Sequence, residues 1–454
     1  MEPANHRINI YHFKGCTRHS IRDYCMKKEC IALFTCLAFS LNLVAVPYGD
    51  GDNREKIIMA CNYLWGINGY SIDYNKAFTL FTEVDNSASV PEESNYLIDA
   101  WYGLGICYYW GYGTEQNYEK AFDKFLSLDM WSAVEVLPDA GFYYGMCWYN
   151  GHGTRQDYIK ARKAFHESAR YGSGKSRRQL GLFMLNNVSE IVDTEKDGAK
   201  ILNWLNEESN KNNSEVQQIL AELYLNGRGC PKDTTLAILN LSKSADNGNV
   251  SAGYKLVHDF YLNGWTKYKD VTKALQYIVK FANQGNAYFQ YDLAVCYNTG
   301  SGVAKNEKEA LFWYEKAASG SCPDALLALG NMYYEGKGVN KNYSEALEYY
   351  KKYLIHRFDK NPLGSTIIRY VESTIGDIYY EGGYGVKQDY EQAVKYYEEA
   401  GSAIKASSAR KYAICHKWGY GGLLPSNKKA LEWLQKAAEL GDDVAKTMLQ
   451  EWTK

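Results

Sequence analysis

One stretch of this chain repeats itself, and that repeat limits the folds that the whole sequence can adopt. Between Leu293 and Leu347 the same set of residues occurs twice, shifted by about 36 positions. A period of this length is typical of helix–turn–helix repeats, in which each unit contacts only its neighbours. The first copy holds Leu293-Ala294, Tyr297, Gly300-Ser301-Gly302-Val303 and Ala310-Leu311, and the second holds Leu329-Gly330, Tyr333, Gly336-Lys337-Gly338-Val339 and Ala346-Leu347.

Four columns of residues carry this pattern along the chain. A large apolar residue precedes a small one, and an aromatic residue follows four positions after the large one, on the same helical face. A Gly-x-Gly turn then ends the first helix, an N-cap residue begins the second, and the second helix carries an alanine and a bulky anchor four positions apart. The N-caps are predicted at Asp73, Asn117, Asp157, Asp197, Asp233, Asp270, Asn306, Asn342, Asp389 and Ser426.

The columns predict about ten helix pairs over residues 55–454. The poorest copies are Leu180–Asn206 and Val257–Phe281, where Val257-His258 fits the first column badly. Three insertions interrupt the spacing, near residues 84–100, 127–140 and 353–370. They are interpreted as longer linkers, with local recognition elements as the alternative.

The repeat resembles the Sel-one-like repeat family, whose members are related to tetratricopeptide repeats. The best single match is Ala430-Leu431-Glu432-Trp433-Leu434-Gln435-Lys436-Ala437-Ala438-Glu439-Leu440-Gly441. The resemblance implies an all-α fold, a right-handed α-solenoid superhelix of about ten repeats. Some secreted members are cross-linked by a second cysteine in each repeat, but no regular partner cysteine occurs in this sequence.

The region before the repeats contains the one long apolar run, Cys30–Val46, preceded by Lys27-Lys28. A short positive region followed by an apolar core is the layout of a secretory signal peptide, here residues 26–46 starting at Met26. An uncleaved membrane anchor is the first alternative, and a buried helix of a cytosolic protein is the second. Residues 1–25 are interpreted as a disordered extension upstream of the true start codon. The localisation predicted is periplasmic or secreted.

Catalytic and metal-binding patterns are weak in this sequence. The Gly-x-Gly turns recur at one structural slot, and no phosphate-loop lysine follows them. Ser402-Ala403-Ile404-Lys405 and Ser426-Asn427-Lys428-Lys429 match the short β-lactamase pattern, without its partner motifs. The cysteines after the apolar run are interpreted as buried free thiols, and their spacing predicts no metal site. We therefore expect no enzyme activity, no cofactor and no metal.

The binding residues are predicted on the first helices, which would line a concave groove if tetratricopeptide geometry applies. In the early repeats the groove would be aromatic, and in the later ones aromatic and acidic, with Glu222, Asp259, Asn331 and Asp377 as polar members. The alternative is that many of these rings pack against the next repeat. The predicted binding residues are Tyr102, Ile106, Tyr109, Trp110, Phe142, Met146, Tyr149, Tyr291, Tyr334 and Tyr380.

These observations favour a non-catalytic scaffold that holds a protein or peptide outside the cytoplasm. Net charge is −2 and no long basic run occurs, which argues against nucleic acid as the partner. A membrane contact is expected only if residues 26–46 stay attached as an anchor. The alternatives are an envelope glycan or β-lactam-like small-molecule binder or enzyme, and an intracellular adaptor or effector.

Overall fold

The computed structural model describes residues 51–87, 95–130, 132–262, 268–358 and 366–453, and within them the chain forms α-helices and no β-strand. The all-α repeat fold is thereby confirmed. The segments predicted as an upstream extension (1–25) and as a signal peptide or anchor (26–46) lie outside the described residues. None of the described helices is long and apolar enough to cross a bilayer.

The first compact unit ends at Asn249. Its described part alternates first and second helices of five helix pairs, and each second helix packs against the first helix before it. The helices are α1 (Gly51–Trp65), α2 (Tyr74–Ser87), α3 (Asn95–Trp110), α4 (Tyr118–Met130), α5 (Pro138–Asn150), α6 (Tyr158–Arg170), α7 (Gly174–Leu185), α8 (Thr194–Ser209), α9 (Ser214–Asn226) and α10 (Thr234–Asp246).

The second compact unit comprises residues 250–454. It contains five more pairs in the same alternation, followed by one further helix. The helices are α11 (Val250–Lys255), α12 (Val271–Asn283), α13 (Ala287–Thr299), α14 (Glu307–Ser319), α15 (Pro323–Glu335), α16 (Tyr343–Phe358), α17 (Thr366–Glu381), α18 (Tyr390–Ala400), α19 (Ala406–Trp418), α20 (Asn427–Glu439) and α21 (Asp443–Trp452).

The second helices begin where N-cap residues predict, with one exception. At nine of the ten predicted positions the side-chain oxygen accepts a hydrogen bond from a backbone N–H in the first turn. The prediction of Asp197 is wrong, because α8 begins one turn earlier and Asp193 caps it. Asp197 instead accepts from the Asp193 backbone N–H at 3.2 Å and pairs with Arg162 at 2.7 Å.

The two glycines of the Gly-x-Gly turn are required for two different physical reasons. Gly151 ends α5 in the left-handed conformation, with φ of 72°, where L-residues are strained. Gly153 also has positive φ, 71°, and a Cβ there would lie 2.0 Å from the Tyr118 carbonyl oxygen at the start of the preceding second helix. The second glycine therefore sets how closely successive repeats approach.

The small residues of the first column receive the bulky anchors of the second helices. A Cβ added to Gly145 would lie 3.0 Å from the Phe165 ring, and one on Gly330 would lie 2.6 Å from the Tyr350 ring. Phe165 and Tyr350 are completely buried. The close approach predicted from sequence is confirmed.

The poorly matching repeat after Val250 contains one extra residue, and the structure absorbs it as a π-helical segment, Leu256–Leu262. π-helical turns accommodate such single insertions without ending the helix. The first column is Leu256-Val257, both buried, so the alignment on Val257-His258 is wrong by one position. Tyr261 returns to register, because its carbonyl accepts from the Asp270 N–H as in the other turns.

The insertion near 127–140 is folded rather than extended. It includes a 3-10 turn, Ala133–Glu135, whose Ala133 and Val134 are buried against the first unit's helices. Residues 88–94 and 359–365, within the other two insertions, lie outside the described part of the chain.

Candidate interaction surface

Three of the predicted binding residues in the first unit belong to the core. Tyr102, Ile106 and Tyr109, all on α3, are only 7%, 1% and 5% exposed, so the exposure expected of them is wrong. For the two tyrosines, the physical reason is that a ring from the next repeat covers them. Tyr143 of α5 lies 6.3 Å from Tyr102 and 5.6 Å from Tyr109 between ring centroids.

Tyr109 also anchors the turn of the following repeat. Its hydroxyl lies 3.2 Å from His152 Nδ1, and the His152 ring stacks on Tyr118 at 4.0 Å. Burial lowers the pKa of His152 below its ordinary value. The side chain in the middle of a Gly-x-Gly turn thus contacts the first residue of the preceding second helix.

The other predicted residues of the first unit retain partial exposure. Trp110 is 38% exposed, and Phe142, Met146 and Tyr149 are half-buried. Tyr149 packs against Phe183 of the next first helix, with centroids 4.8 Å apart. These four side chains lie at the edge of the core and still present apolar surface.

Lys175, at the start of α7, was not predicted from sequence. Its Nζ lies 3.2 Å from the Tyr143 hydroxyl, to which it donates, and 3.5 Å from an Asp139 carboxylate oxygen. The signal for it is weak, because lysine at the second position of a first helix occurs in this repeat and not in its neighbours.

In the second unit, the three tyrosines predicted to bind a partner lie on first helices and are half-buried. Tyr291 lies on α13, Tyr334 on α15 and Tyr380 on α17. Tyr334 stacks on Tyr343 at 5.4 Å. Burial, followed by the nearby carboxylates of Asp324 and Asp292, raises the pKa of Tyr291 to about 12.

Asp377 was expected as an exposed acid of the groove, and that is wrong. Its side chain is 2% exposed, and it accepts hydrogen bonds from Ser408 Oγ at 2.8 Å and Tyr397 Oη at 3.0 Å. Lys411 and Lys405 of the next repeat lie 3.2 and 3.4 Å from its carboxylate. The network joins α17 to α19 and neutralises the charge of Asp377.

Two side chains extend this network. Lys411 Nζ also pairs with a carboxylate oxygen of Glu381 at 2.5 Å, and the other Glu381 oxygen accepts from Tyr343 Oη at 3.1 Å. Burial lowers the pKa of Lys405, an effect that Asp377 opposes and Lys411 reinforces. The acids and lysines here satisfy one another.

The weak catalytic patterns have structural explanations. Ser426 caps α20, and Lys405 belongs to the Asp377 network. Within the described ranges, no group of three His, Cys, Asp or Glu side chains is placed to hold a metal ion. The seven cysteines of that part are free, and five of them are buried.

Comparison with known proteins gives the family. The Sel1 repeat profile matches nine segments spread over most of the chain: residues 58–83, 98–123, 138–170, 214–249, 254–286, 287–322, 323–352, 375–403 and 406–442. Among curated proteins, no sequence matches significantly.

Two solved structures are similar to this chain. One is c5321, a protective antigen of uropathogenic Escherichia coli strains with an SLR fold, at a TM-score of 0.54 and 24% identity, covering 88% of this chain and 79% of that one. The other is a Sel1 repeat protein from Oxalobacter formigenes, at a TM-score of 0.49 and 24% identity, covering 73% of this chain and 93% of that one. The first likeness supports the fold alone.

Sel1 repeat proteins are generally scaffolds that bind other proteins, and the family is typically non-catalytic. The repeat columns, the glycine-bounded turns and the nine matched segments agree on one assignment. The chain belongs to the Sel1 repeat family.

Proposed function

We propose that this protein is a non-catalytic scaffold that binds a protein or peptide segment on its first-helix face. One observation carries the proposal. In each unit, side chains beside the core columns of the first helices keep partial exposure, as at Phe142, Met146 and Tyr149 on α5 and at Tyr334 and Tyr380 on α15 and α17. Aromatic rings of this kind contribute strongly to protein interfaces.

The packing supports a preformed face. Neighbouring first helices are joined by an ion pair between Asp139 and Lys175 and by a ring contact between Tyr149 and Phe183. Such contacts fix the rotamers of the surface before a partner arrives, which reduces the entropy lost on binding.

The test places a photo-crosslinking benzoylphenylalanine at Tyr149 or Tyr334. The matched control is Phe312, on the second helix α14, which is 46% exposed. We expect the first-helix probes to crosslink to the same partner protein. We expect the Tyr149→Ala variant, which melts at a somewhat lower temperature because it loses the Phe183 contact, to lose that partner at temperatures where it is still fully folded. Equal crosslinking from Phe312, or loss of binding only where the variant unfolds, would count against the proposal.

We also propose that the protein works outside the cytoplasm after removal of residues 26–46. The support is the sequence layout alone, a lysine pair before a single apolar run. N-terminal sequencing of the mature protein tests it. A new N-terminus shortly after Val46 is expected, whereas a chain that begins at Met1 would overturn the export proposal.

A further inference from the structure

The segment that joins α19 to α20 exposes large apolar side chains to solvent. It comprises residues 417–425, which we call the tryptophan–leucine loop. Its two ends meet, because the His416 carbonyl accepts a hydrogen bond from the Ser426 N–H at 2.8 Å. Trp418 is 60% exposed, and Leu424 is 88% exposed, the highest value of any large apolar side chain in the described ranges.

Two other residues of the loop attach it to the repeats. The Tyr420 ring stacks on Tyr390 of α18 with centroids 4.6 Å apart, and Leu423 packs against the buried core of the last repeats. Trp418 and Leu424 do not belong to that core cluster. Packing within the chain therefore does not explain why these two positions carry apolar residues.

A second copy of the same turn shows that the repeat does not require this composition. The residues Trp-Gly-Tyr-Gly occur at 110–113 and again at 418–421. The first copy continues with Thr-Glu-Gln, whereas the second continues with Gly-Leu-Leu-Pro. Leu424 stands two positions before an N-cap residue, where the first copy has Glu115. A polar side chain thus serves the turn equally well at this position.

Basic residues lie at both ends of the loop. Lys417 is its first residue, and its ammonium lies 5.0 Å from the centroid of the Trp452 ring. Lys428 and Lys429 follow the loop in the first turn of α20, are exposed, and form no ion pair within the described residues. Residues 400–431 contain no aspartate or glutamate. The loop therefore combines exposed apolar side chains with positive charge at its base.

We propose that the tryptophan–leucine loop docks the protein on a membrane surface that contains anionic lipids. Tryptophan and tyrosine favour the interface between bilayer and water, because each has a large apolar ring and a polar group that can reach water. Lysines beside them are attracted to anionic headgroups, and their aliphatic stems lie along apolar surface. An anionic bilayer matches the apolar side chains and the lysines together.

This membrane contact goes beyond the proposed scaffold function, because it determines where the scaffold is held. It does not involve residues 26–46, so it persists if those residues are removed. The loop lies on the bilayer and does not span it, and binding through so few side chains is reversible. Each lysine near an anionic surface strengthens such binding by roughly fivefold.

The test places a photo-crosslinking benzoylphenylalanine at Leu424 of the intact protein, which is irradiated with vesicles of phosphatidylglycerol and phosphatidylcholine. The benzophenone group inserts into C–H bonds of lipid chains, so mass spectrometry of the labelled peptide reports lipid contact at this one residue. The matched control is Ile159, 83% exposed in the first turn of α6. We expect at least tenfold more lipid adduct at position 424, and equal yields would overturn the proposal.

Two changes separate the apolar contribution from the charge. Trp418→Asn removes apolar surface and places there the residue type that Asn150 provides at the same point of its own repeat. Lys428→Gln with Lys429→Gln removes the charge. We expect each variant to lower the lipid adduct at position 424 at least fivefold, and expect vesicles of phosphatidylcholine alone to do the same. Adduct yields that none of these changes lowers would contradict the proposal.

The control for charge is Lys308→Gln with Lys387→Gln, two exposed lysines elsewhere in the second unit, which changes the net charge equally. It should leave the adduct yield unaltered. If both lysine variants lower the yield equally, the attraction is non-specific and the proposal fails.

A protein is the alternative occupant of the loop. If position 424 crosslinks to a protein and gives no lipid adduct in a mixture of vesicles and cell extract, the membrane proposal is wrong. Crosslinking of a partner at Tyr149 or Tyr334 without lipid adduct at position 424 would refute membrane docking and leave the scaffold function standing.

Discussion

At the scale of single residues, the glycines of this protein have different structural roles. Gly151 and Gly153 belong to one turn and have almost the same φ, 72° and 71°. A Cβ on Gly151 would meet nothing closer than 3.4 Å, whereas one on Gly153 would clash with the Tyr118 backbone. Conformational strain and steric exclusion can therefore be measured separately at two neighbouring positions.

We expect Gly151→Ala to lower the free energy of unfolding by about 1–2 kcal/mol, the cost of a left-handed L-residue. Gly153→Ala should lower it by about 3 kcal/mol, because the overlap with the Tyr118 carbonyl forces the backbone to move as well. Urea denaturation of both variants measures the difference. Equal losses of unfolding free energy in the two variants would show that the overlap with the Tyr118 carbonyl adds no cost beyond the backbone strain.

His416 supplies a pH dependence. It fills the aromatic column on α19 and is 3% exposed, and burial followed by Lys429 lowers its pKa below the ordinary 6.5. The folded state thus favours the neutral ring, so its contribution is present above pH 6.5 and is lost as the pH falls below that value.

The His416→Tyr variant places the commonest residue of the column there and removes the titration. We expect the unaltered protein to lose more thermal stability than this variant between pH 7 and pH 5. Parallel pH profiles would show that His416 does not contribute, and the remaining slope would belong to groups such as His152 and His166, whose pKa values burial also lowers.

At the scale of helices and their contacts, charge is used to join repeats. Asp377 pairs with Lys405 and Lys411 across α17 and α19, while Lys352 and Glu348 pair at 2.5 Å within α16 and are about half exposed. Buried and exposed ion pairs of this kind differ in how much is lost when one partner is removed.

Asp377→Asn should lower the free energy of unfolding by about 2 kcal/mol, because Lys405 loses its carboxylate partner and Lys411 keeps only Glu381. Glu348→Gln should change it by less than about 0.5 kcal/mol, because water solvates the released lysine. Chemical denaturation compares them. If both variants lose similarly little unfolding free energy, the Asp377 network stabilises the fold no more than an exposed ion pair does.

The element pattern was largely predictable from the sequence, and the binding surface only partly. N-caps, glycine turns and small-residue columns are local signals, so the helix pairs followed from them. Asp197 failed because Asp193 also caps, and Val257-His258 failed because a π-helical turn absorbs one residue. Exposure depends on the neighbouring repeat, and spacing alone could not show that Tyr143 covers Tyr109.

At the scale of the whole molecule, both units rely on packing without covalent links among the described cysteines. All seven of these are free, and burial raises the pKa of Cys107, Cys147 and Cys415 to about 12. Thiolate is the reactive form, so these side chains are protected twice, by lack of access and by protonation.

A chain lacking residues 1–46 should therefore show seven thiols towards Ellman's reagent in denaturant. In the folded protein at pH 8, Cys107, Cys147 and Cys415 should react much more slowly than they do after unfolding. Two fewer thiols in denaturant would reveal a disulfide, and rapid reaction of all seven in the folded state would show that the cores open readily.

The contact of each turn with the preceding second helix has a consequence for how such a chain can evolve. Tyr112 lies on Tyr74, His152 on Tyr118, and Tyr420 on Tyr390. The complementary pair is thus split between two successive repeats. A gene duplication that copied one repeat would copy only half of each pair. A duplicated segment that runs from a second helix through the following turn would carry both halves. We therefore expect recombination within the gene to favour segments with these boundaries.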